Sequence, residues 1–374
     1  MRLATRWNTF PNRAMKAKEI PASGAWAKPG SAQRPRSGPH EACQRAARFL
    51  DAAQDANQTA RNVTMLRNTA LTLSLIALPS LAFATPEGWG PLLEPAELAA
   101  MLDADEAIRI IHVSGDFSAG HIPGAAYSPY ANWRGGPSNP GALLPELEFE
   151  LEAARVGVEA DLPVVLVHAG DSPTDMGAAA RVYWTLKSLG VQDLALLNGG
   201  FAAWQEAQLP VSTTPVTIEE TGFMAEWRDD WYISTREVEA LVASGEARLL
   251  DSRPEGFFQG LAWSIARPGT IRSAENLEFS DFFEGNRMVT PERAREIAVA
   301  QSLTDAPITV SFCNTGHWAA LNWFALSELA GVENTRLYAE SMAEFAIHSA
   351  ELDNEPSRIA YLWRSTLRWV EGFF

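Results

Sequence analysis

The sequence predicts an α/β protein built from two tandem copies of one domain, each a parallel sheet flanked by helices. Three observations carry that expectation. Short β-branched runs alternate with segments of helical spacing, which requires crossover connections and therefore parallel strands covered on both faces. The order of those segments in the first half of the chain recurs in the second. A chain of 374 residues, 47% hydrophobic and 20% charged, suits two domains of ordinary size that each bury a core.

The chain opens in a different style. Of its 30 basic and 46 acidic residues, 12 and 4 fall within 1–84, which leaves 18 and 42, a net of −24, for the remainder. Residues 1–64 are basic, rich in Ala, Pro and Ser, and aperiodic; they read as an over-extended or disordered start. Residues 65–84, "MLRNTALTLSLIALPSLAFA", hold Arg67, an apolar run Ala70–Leu78, the breaker Pro79 and the small residues Ala82 and Ala84. That is the layout of a secretory signal peptide cleaved after Ala84, with Met65 as initiator. The expected location is periplasmic or secreted. The apolar run is too short for a membrane span, so no stable membrane insertion is expected after cleavage.

Residues 85–212 form the first predicted domain. "AIRIIHVS" (Ala107–Ser114) and "LPVVLVHA" (Leu162–Ala169) are strands, and "DMGAAARVYWTLKSLG" is a helix stopped at Gly190. "VQDLALLNGG" returns as a strand and "FAAWQEA" begins a helix. Residues 213–230, which begin within "STTP" and run into "EWRDDW", read as a linker. Residues 231–374 repeat the plan: "EARLLDSR" (Glu246–Arg253) and "APITVSFC" (Ala306–Cys313) are strands, "AALNWFALSELAG" is the long helix, "VENTRLYAES" the next strand and "MAEFA" the next helix. Laying the two apolar runs end to end sets Ala169 opposite Cys313. Trp184, Trp204 and Trp323 are expected in helix-packed cores, and His112 and His168 are expected to be ordinary buried strand residues. The C-terminal "YLWRSTLRWVEGFF" reads as a helix on the second domain.

The net charge of −16 argues against nucleic acid as a partner. No His/Cys/Asp spacing suggests a metal site, and no glycine-rich phosphate loop is present. With Cys43 in the excluded start, Cys313 is the one thiol of the processed chain, so no internal disulfide is expected.

Cys313 stands where a strand hands over to a helix through "CNTGHW". Such a turn aims successive backbone N–H groups inward, beside the unpaired first N–H groups of the helix, and both favour negative charge on the sulfur. The loop suits a thiolate that attacks phosphate or one that accepts sulfur as a persulfide. A cysteine phosphatase needs an arginine six positions further on for a bidentate grip on phosphoryl oxygens. Here that position is Ala319, and no arginine lies between Cys313 and Arg336. The phosphatase reading fails.

These motifs together resemble the tandem rhodanese-domain sulfurtransferases, the thiosulfate and 3-mercaptopyruvate sulfurtransferase family. The first half carries "GHIPGA" (Gly120–Ala125), Tyr183-Trp184 and "LNGGFAAW" (Leu197–Trp204); the second carries "LLDSR" with Asp251 and Arg253, and Cys313-x-x-Gly316-x-x-Ala319. The likeness covers nearly all of 90–350. It implies a catalytic second domain and an inactive first one, in which Ala169, His112 and Ser114 stand at the cysteine and Asp-x-Arg positions. It also implies that sulfur passes from thiosulfate or 3-mercaptopyruvate to a thiophilic acceptor such as cyanide or a thiol, through a Cys313 persulfide and without a cofactor. Asp251 is expected to orient the loop or Arg253, with Arg253 or Arg272 binding the donor's anionic end. Asn314, Thr315, Gly316, His317, Trp318 and Ala319 line the expected donor pocket, His317 being a candidate proton donor or charge partner, or a partly exposed loop residue. The second half departs from the family at "GTIRSA" (Gly269–Ala274) and at Glu340-Ser341, where a double glycine is usual, and neither change is expected to touch the thiol loop. The departures leave a rhodanese-like sulfur carrier or binding module as the alternative, and a purely structural thiol would have to be inaccessible.

Overall fold

The computed structural model describes residues 84–348, 351–357 and 359–360, all within one compact unit. Residues 1–64, the predicted leader apart from Ala84, and the C-terminal segment 361–374 lie outside the described residues.

The first half runs β1 (Leu92–Leu93), α1 (Pro95–Asp103), β2 (Arg109–His112), β3 (Ala126–Tyr127), α2 (Glu146–Arg155), β4 (Val164–Val167), α3 (Met176–Ser188), β5 (Leu194–Leu197) and α4 (Gly200–Glu206). The second runs α5 (Thr235–Ser244), β6 (Arg248–Asp251), α6 (Glu255–Phe258), β7 (Glu275–Asn276), β8 (Phe283–Glu284), β9 (Arg287–Met288), α7 (Pro291–Ala300), β10 (Thr309–Phe312), α8 (Trp318–Phe324), β11 (Thr335–Leu337) and α9 (Ser341–His348). The strands form a five-stranded parallel sheet, β1-β5-β4-β2-β3, and a four-stranded parallel sheet, β11-β10-β6-β7, while β8 and β9 make an antiparallel hairpin.

Local chemistry explains the element ends. Ser234 and Glu237 form a reciprocal capping box at the start of α5, and left-handed Gly245 closes it. Thr290 accepts from the Arg293 N–H ahead of Pro291 at the start of α7. The helix begun by α8 continues as a π-helical turn over Ala325–Leu329, a widening that the spacing of its apolar residues does not reveal.

Every residue of β4 and of β10 is buried, as central parallel strands require. Each half has a private apolar cluster, one around Ile110, Val165 and Leu197, the other around Val238, Val310 and Met342. The largest cluster belongs to both halves: α3 lies against α8, with the Tyr183 ring edge-on to Phe324 at 5.0 Å between centroids. Trp184, Trp204 and Trp323 are all core residues.

The stretch expected as a linker is bound to the first half rather than spanning between halves. Thr221 N–H donates to Ala154 O, Ala225 N–H to Glu150 and Arg228 N–H to Ser188 O, and the Trp227 ring stacks beside Phe149. Unpaired backbone groups and a large apolar ring make a free tether costly there.

The sheet register corrects one correspondence between the halves. β4 pairs with β2 so that Val167 meets His112, and β10 pairs with β6 so that Phe312 meets Asp251. His168, not Ala169, therefore occupies the place of Cys313. Matching Pro163 to Pro307 slid the alignment by one residue, because strands buried on both faces carry no alternation to fix register.

Candidate active site

Cys313 ends β10 and is 1% exposed. Its loop is held from below by a buried ion pair. Asp251 Oδ1 accepts from Arg253 Nε at 2.8 Å and Oδ2 from Arg253 Nη2 at 2.6 Å, with both side chains fully buried. Thr270 Oγ1 adds a hydrogen bond to Oδ2 at 2.7 Å, and Arg253 Nη2 also donates to Gly269 O at 2.8 Å. Arg253 Nη1 then reaches Asn314 Oδ1 at 3.1 Å, and Asn314 Nδ2 donates to Ser264 Oγ at 3.1 Å. The pair thus fixes the residue next to the thiol.

This geometry corrects three expectations. Arg253 is spent on Asp251, Gly269 and Asn314, so it faces no donor. Asn314 turns its side chain to Arg253 and Ser264, not toward a pocket. Arg272 is on the surface, bonded to Glu351 at 2.8 Å, and is no part of the site. "GTIRSA" does reach the loop, since Gly269 and Thr270 belong to the supporting network.

Glu340-Ser341 touches the thiol residue itself. Ser341 Oγ accepts from the Cys313 N–H at 3.1 Å and donates to Tyr338 O at 2.7 Å. Ser341 holds φ +53°, a conformation its glycine counterpart Gly200 adopts freely at +62°. The Met342 N–H donates to Cys313 O and the Ala343 N–H to Asn314 O. The loop is thereby tied down at its base, while the N–H groups of Asn314, Thr315 and Gly316 make no hydrogen bond among the described residues.

Gly316 is required twice over. Its φ is +70°, and a Cβ there would meet Arg181 Nη1 at 2.2 Å and Ala339 O at 2.3 Å. Beyond it, Trp318 stacks on Phe279 at 5.2 Å and donates through Nε1 to Thr174 Oγ1. Trp318 thus walls the loop, and Ala319 is buried beneath it.

His317 differs from expectation. Its Nε2 lies 2.7 Å from Thr174 O, which only a protonated nitrogen satisfies, so Nδ1 is left to accept from Tyr130 O–H at 3.3 Å. Burial, with Arg134 and Arg181 nearby, pushes its pKa down to about 4. At neutral pH it is uncharged and cannot serve as a charge partner. A Cβ on Gly177 would meet its ring at 2.7 Å, so α3 needs a glycine to admit it.

The positive charge comes instead from the first half, which the sequence reading missed. Arg181, fully buried on α3, donates to Gly141 O at 3.0 Å and Ala339 O at 3.3 Å, and burial lowers its pKa. Arg134 lies over the Tyr130 ring at 4.7 Å and donates to Pro140 O at 2.8 Å. Neither has an ion-pair partner among the described residues. One signal was present: an arginine inside the otherwise apolar "GAAARVYW" had to be either buried with purpose or excluded from a helix core.

Among the described residues no cluster of three or more His, Cys, Asp or Glu could hold a metal ion, and no helix is long and apolar enough to cross a membrane.

Residues 94–207 match the family model of the rhodanese-like domain. The 3-mercaptopyruvate sulfurtransferase of Escherichia coli strain K12 is 28% identical over 253 residues, covering 66% of this chain and 86% of that protein. A Pseudomonas aeruginosa protein named "Probable 3-mercaptopyruvate sulfurtransferase" is 30% identical over 239 residues, covering 61% of this chain and 82% of its own length. The thiosulfate sulfurtransferase of Gallus gallus is 32% identical over 171 residues, 45% of this chain and 58% of that one. Among solved structures, E. coli SseA superposes with a TM-score of 0.60 at 22% identity, over 67% of this chain and 98% of SseA. Tum1 of Saccharomyces cerevisiae gives a TM-score of 0.62 at 20% identity, over 71% and 99%. With two parallel-sheet halves, a loop thiol in the second and relatives of this kind along both, the chain belongs to the tandem rhodanese-domain sulfurtransferase family.

Proposed function

We propose that the protein moves sulfane sulfur from thiosulfate to a thiophilic acceptor, such as cyanide or a thiol, through a persulfide on Cys313. The thiolate attacks the outer sulfur of thiosulfate. A new S–S bond forms as the old one breaks, and its electron pair leaves with sulfite. The acceptor then attacks the terminal persulfide sulfur and the Cys313 thiolate leaves, restoring the enzyme. The observation that carries this reading is a thiol loop with unpaired N–H groups at Asn314, Thr315 and Gly316 beside two arginines without ion-pair partners. Preorganised donors of this kind hold an anionic sulfur at no reorganisation cost. Asp251 and Arg253 act as positioning residues. The leader-like segment 65–84 supports action in the periplasm or outside the cell.

Two observations favour other readings. Asn314 and Thr315 are neutral where a cationic loop would suit a dianion, which favours 3-mercaptopyruvate as donor. The 1% exposure of Cys313 favours a structural thiol.

One experiment separates them. The wild-type chain and Cys313→Ser are incubated with thiosulfate or with 3-mercaptopyruvate, and the intact protein is weighed. A gain of one sulfur atom, reversed by cyanide and absent from the serine variant, is expected with thiosulfate. Gain only from 3-mercaptopyruvate reassigns the donor, and gain from neither removes the enzyme reading.

A further inference from the structure

The two halves exchange loops. From the first half, residues 134–142 cross onto the live site: Asn139 Nδ2 donates to Glu344 at 3.2 Å, and Arg134 Nη2 lies 3.5 Å from Thr315 O in the thiol loop. From the second half, the β8–β9 hairpin crosses onto the retired site, where Asn286 Nδ2 donates to Gly170 O at 3.2 Å and Arg287 Nη1 lies 3.4 Å from Asn198 O. Each crossing delivers one arginine, and the two are treated oppositely. Arg287 is neutralised by Glu94 at 2.7 Å, with Glu206 at 3.8 Å. Arg134 meets only carbonyl oxygens and the Tyr130 ring, half-buried beside a second cation, Arg181.

The buried Glu340 carboxylate acts on Arg181, but among the described residues no carboxylate is in contact with Arg134. A second guanidinium group held beside Arg181 is costly unless a further anion joins them. The thiol loop supplies no side-chain cation of its own, and Arg253 is consumed below it.

We propose that Arg134 is the specificity-determining residue of the site, binding the anionic end of the sulfur donor and so selecting for compact oxyanions such as the sulfonate group of thiosulfate. This rests on the sulfur-transfer reading above for its substrate, but not for its geometry. The first domain is then more than a cover: it supplies the charge that the second domain's loop lacks. The dianion arrives with its oxygens toward Arg134 and its outer sulfur toward Cys313, and sulfite departs from the same contact.

The test uses the full chain with Arg134→Gln and Arg134→Lys, and two readouts. In the first, thiosulfate concentration is varied in single-turnover loading of Cys313. The half-saturating concentration should rise about tenfold or more in Arg134→Gln, as loss of a charged hydrogen bond implies, with the maximal loading rate changed far less and the lysine variant in between. In the second, Cys313 is alkylated with iodoacetate and with iodoacetamide, electrophiles of like shape that differ in charge. The iodoacetate-to-iodoacetamide rate ratio should fall in Arg134→Gln and recover in Arg134→Lys. An unchanged ratio, including equal slowing of both reagents as a merely structural role would give, overturns the proposal, and so does an unchanged half-saturation. Should wild type fail to load from thiosulfate at all, the sulfur-transfer reading falls, and the alkylation ratio alone decides for or against Arg134.

Discussion

Asp251 accepts hydrogen bonds from the Arg253 N–H, Nε and Nη2 and from Thr270 Oγ1, and none of these groups meets water. A buried pair of this kind adds little net stability over an apolar replacement, yet breaking it leaves an uncompensated charge. Asp251→Asn keeps the shape and removes the charge, stranding Arg253 in the core beneath Asn314. The expected loss is about 3–5 kcal/mol of unfolding free energy, read from urea midpoints. Sulfur loading of Cys313 should fall with it even where the variant is folded, because Arg253 then releases Asn314 and the loop base. A variant with wild-type stability would show that the pair is solvated in solution, contrary to its full burial. Ser341 illustrates the same logic at smaller scale: it keeps a strained left-handed backbone because its hydroxyl satisfies the Cys313 N–H, a group that would otherwise be buried unpaired.

The β10–loop–α8 element depends on close approach between α3 and the loop. Gly316→Ala places a methyl group 2.2 Å from Arg181 Nη1 and 2.3 Å from Ala339 O, at a φ that alanine resists. Sulfur loading should drop at least about tenfold, with a lowered Tm, since the loop must swing away from Arg181 to admit the methyl. Loading at the wild-type rate would mean that the loop and Arg181 are not held together during turnover. The same element shows which features local sequence can announce. A β-branched run ending at a cysteine, a glycine three residues on and a helical pattern after it are local signals, and each element they announce is present. Arg134, Tyr130, Thr174 and Arg181 stand more than 130 residues from the loop they touch, and no local pattern encodes that meeting. The exchange of Ala169 for His168 has a similar origin, for a fully buried strand reads the same one residue either way. The roles of Arg253 and Asn314 are likewise hidden from the sequence, which shows side chains suited to anions but not their burial against each other.

At the scale of the whole molecule, the two halves are one architecture with opposite electrostatics. Where the second half buries the Asp251–Arg253 pair, Thr270 and Cys313, the first buries His112, His121 and His168, with Ser114 half-buried. Burial, reinforced by His121 and His168, pushes the His112 pKa down to about 3, and burial alone takes His168 to about 4. Their ordinary value of 6.5 applies to the unfolded chain, so the folded state holds them neutral and the unfolded state takes up protons first as pH falls. Their stabilising contribution is therefore complete above about pH 6.5 and is lost progressively toward pH 4, with His317 adding to the loss from the seam between the halves. Each shift corresponds to on the order of 2 kcal/mol forfeited by pH 5. Tm should accordingly fall steeply between pH 7 and pH 5. Substituting His168→Asn, which cannot titrate, should flatten that slope relative to wild type while lowering Tm at pH 7 through the altered packing. A wild-type Tm that stays level down to pH 5 would show that His112 and His168 are hydrated in the folded chain. Burying His112 and His168 where the second half buries its ion pair and thiol thus gives the first half a core that holds fully only above mildly acidic pH.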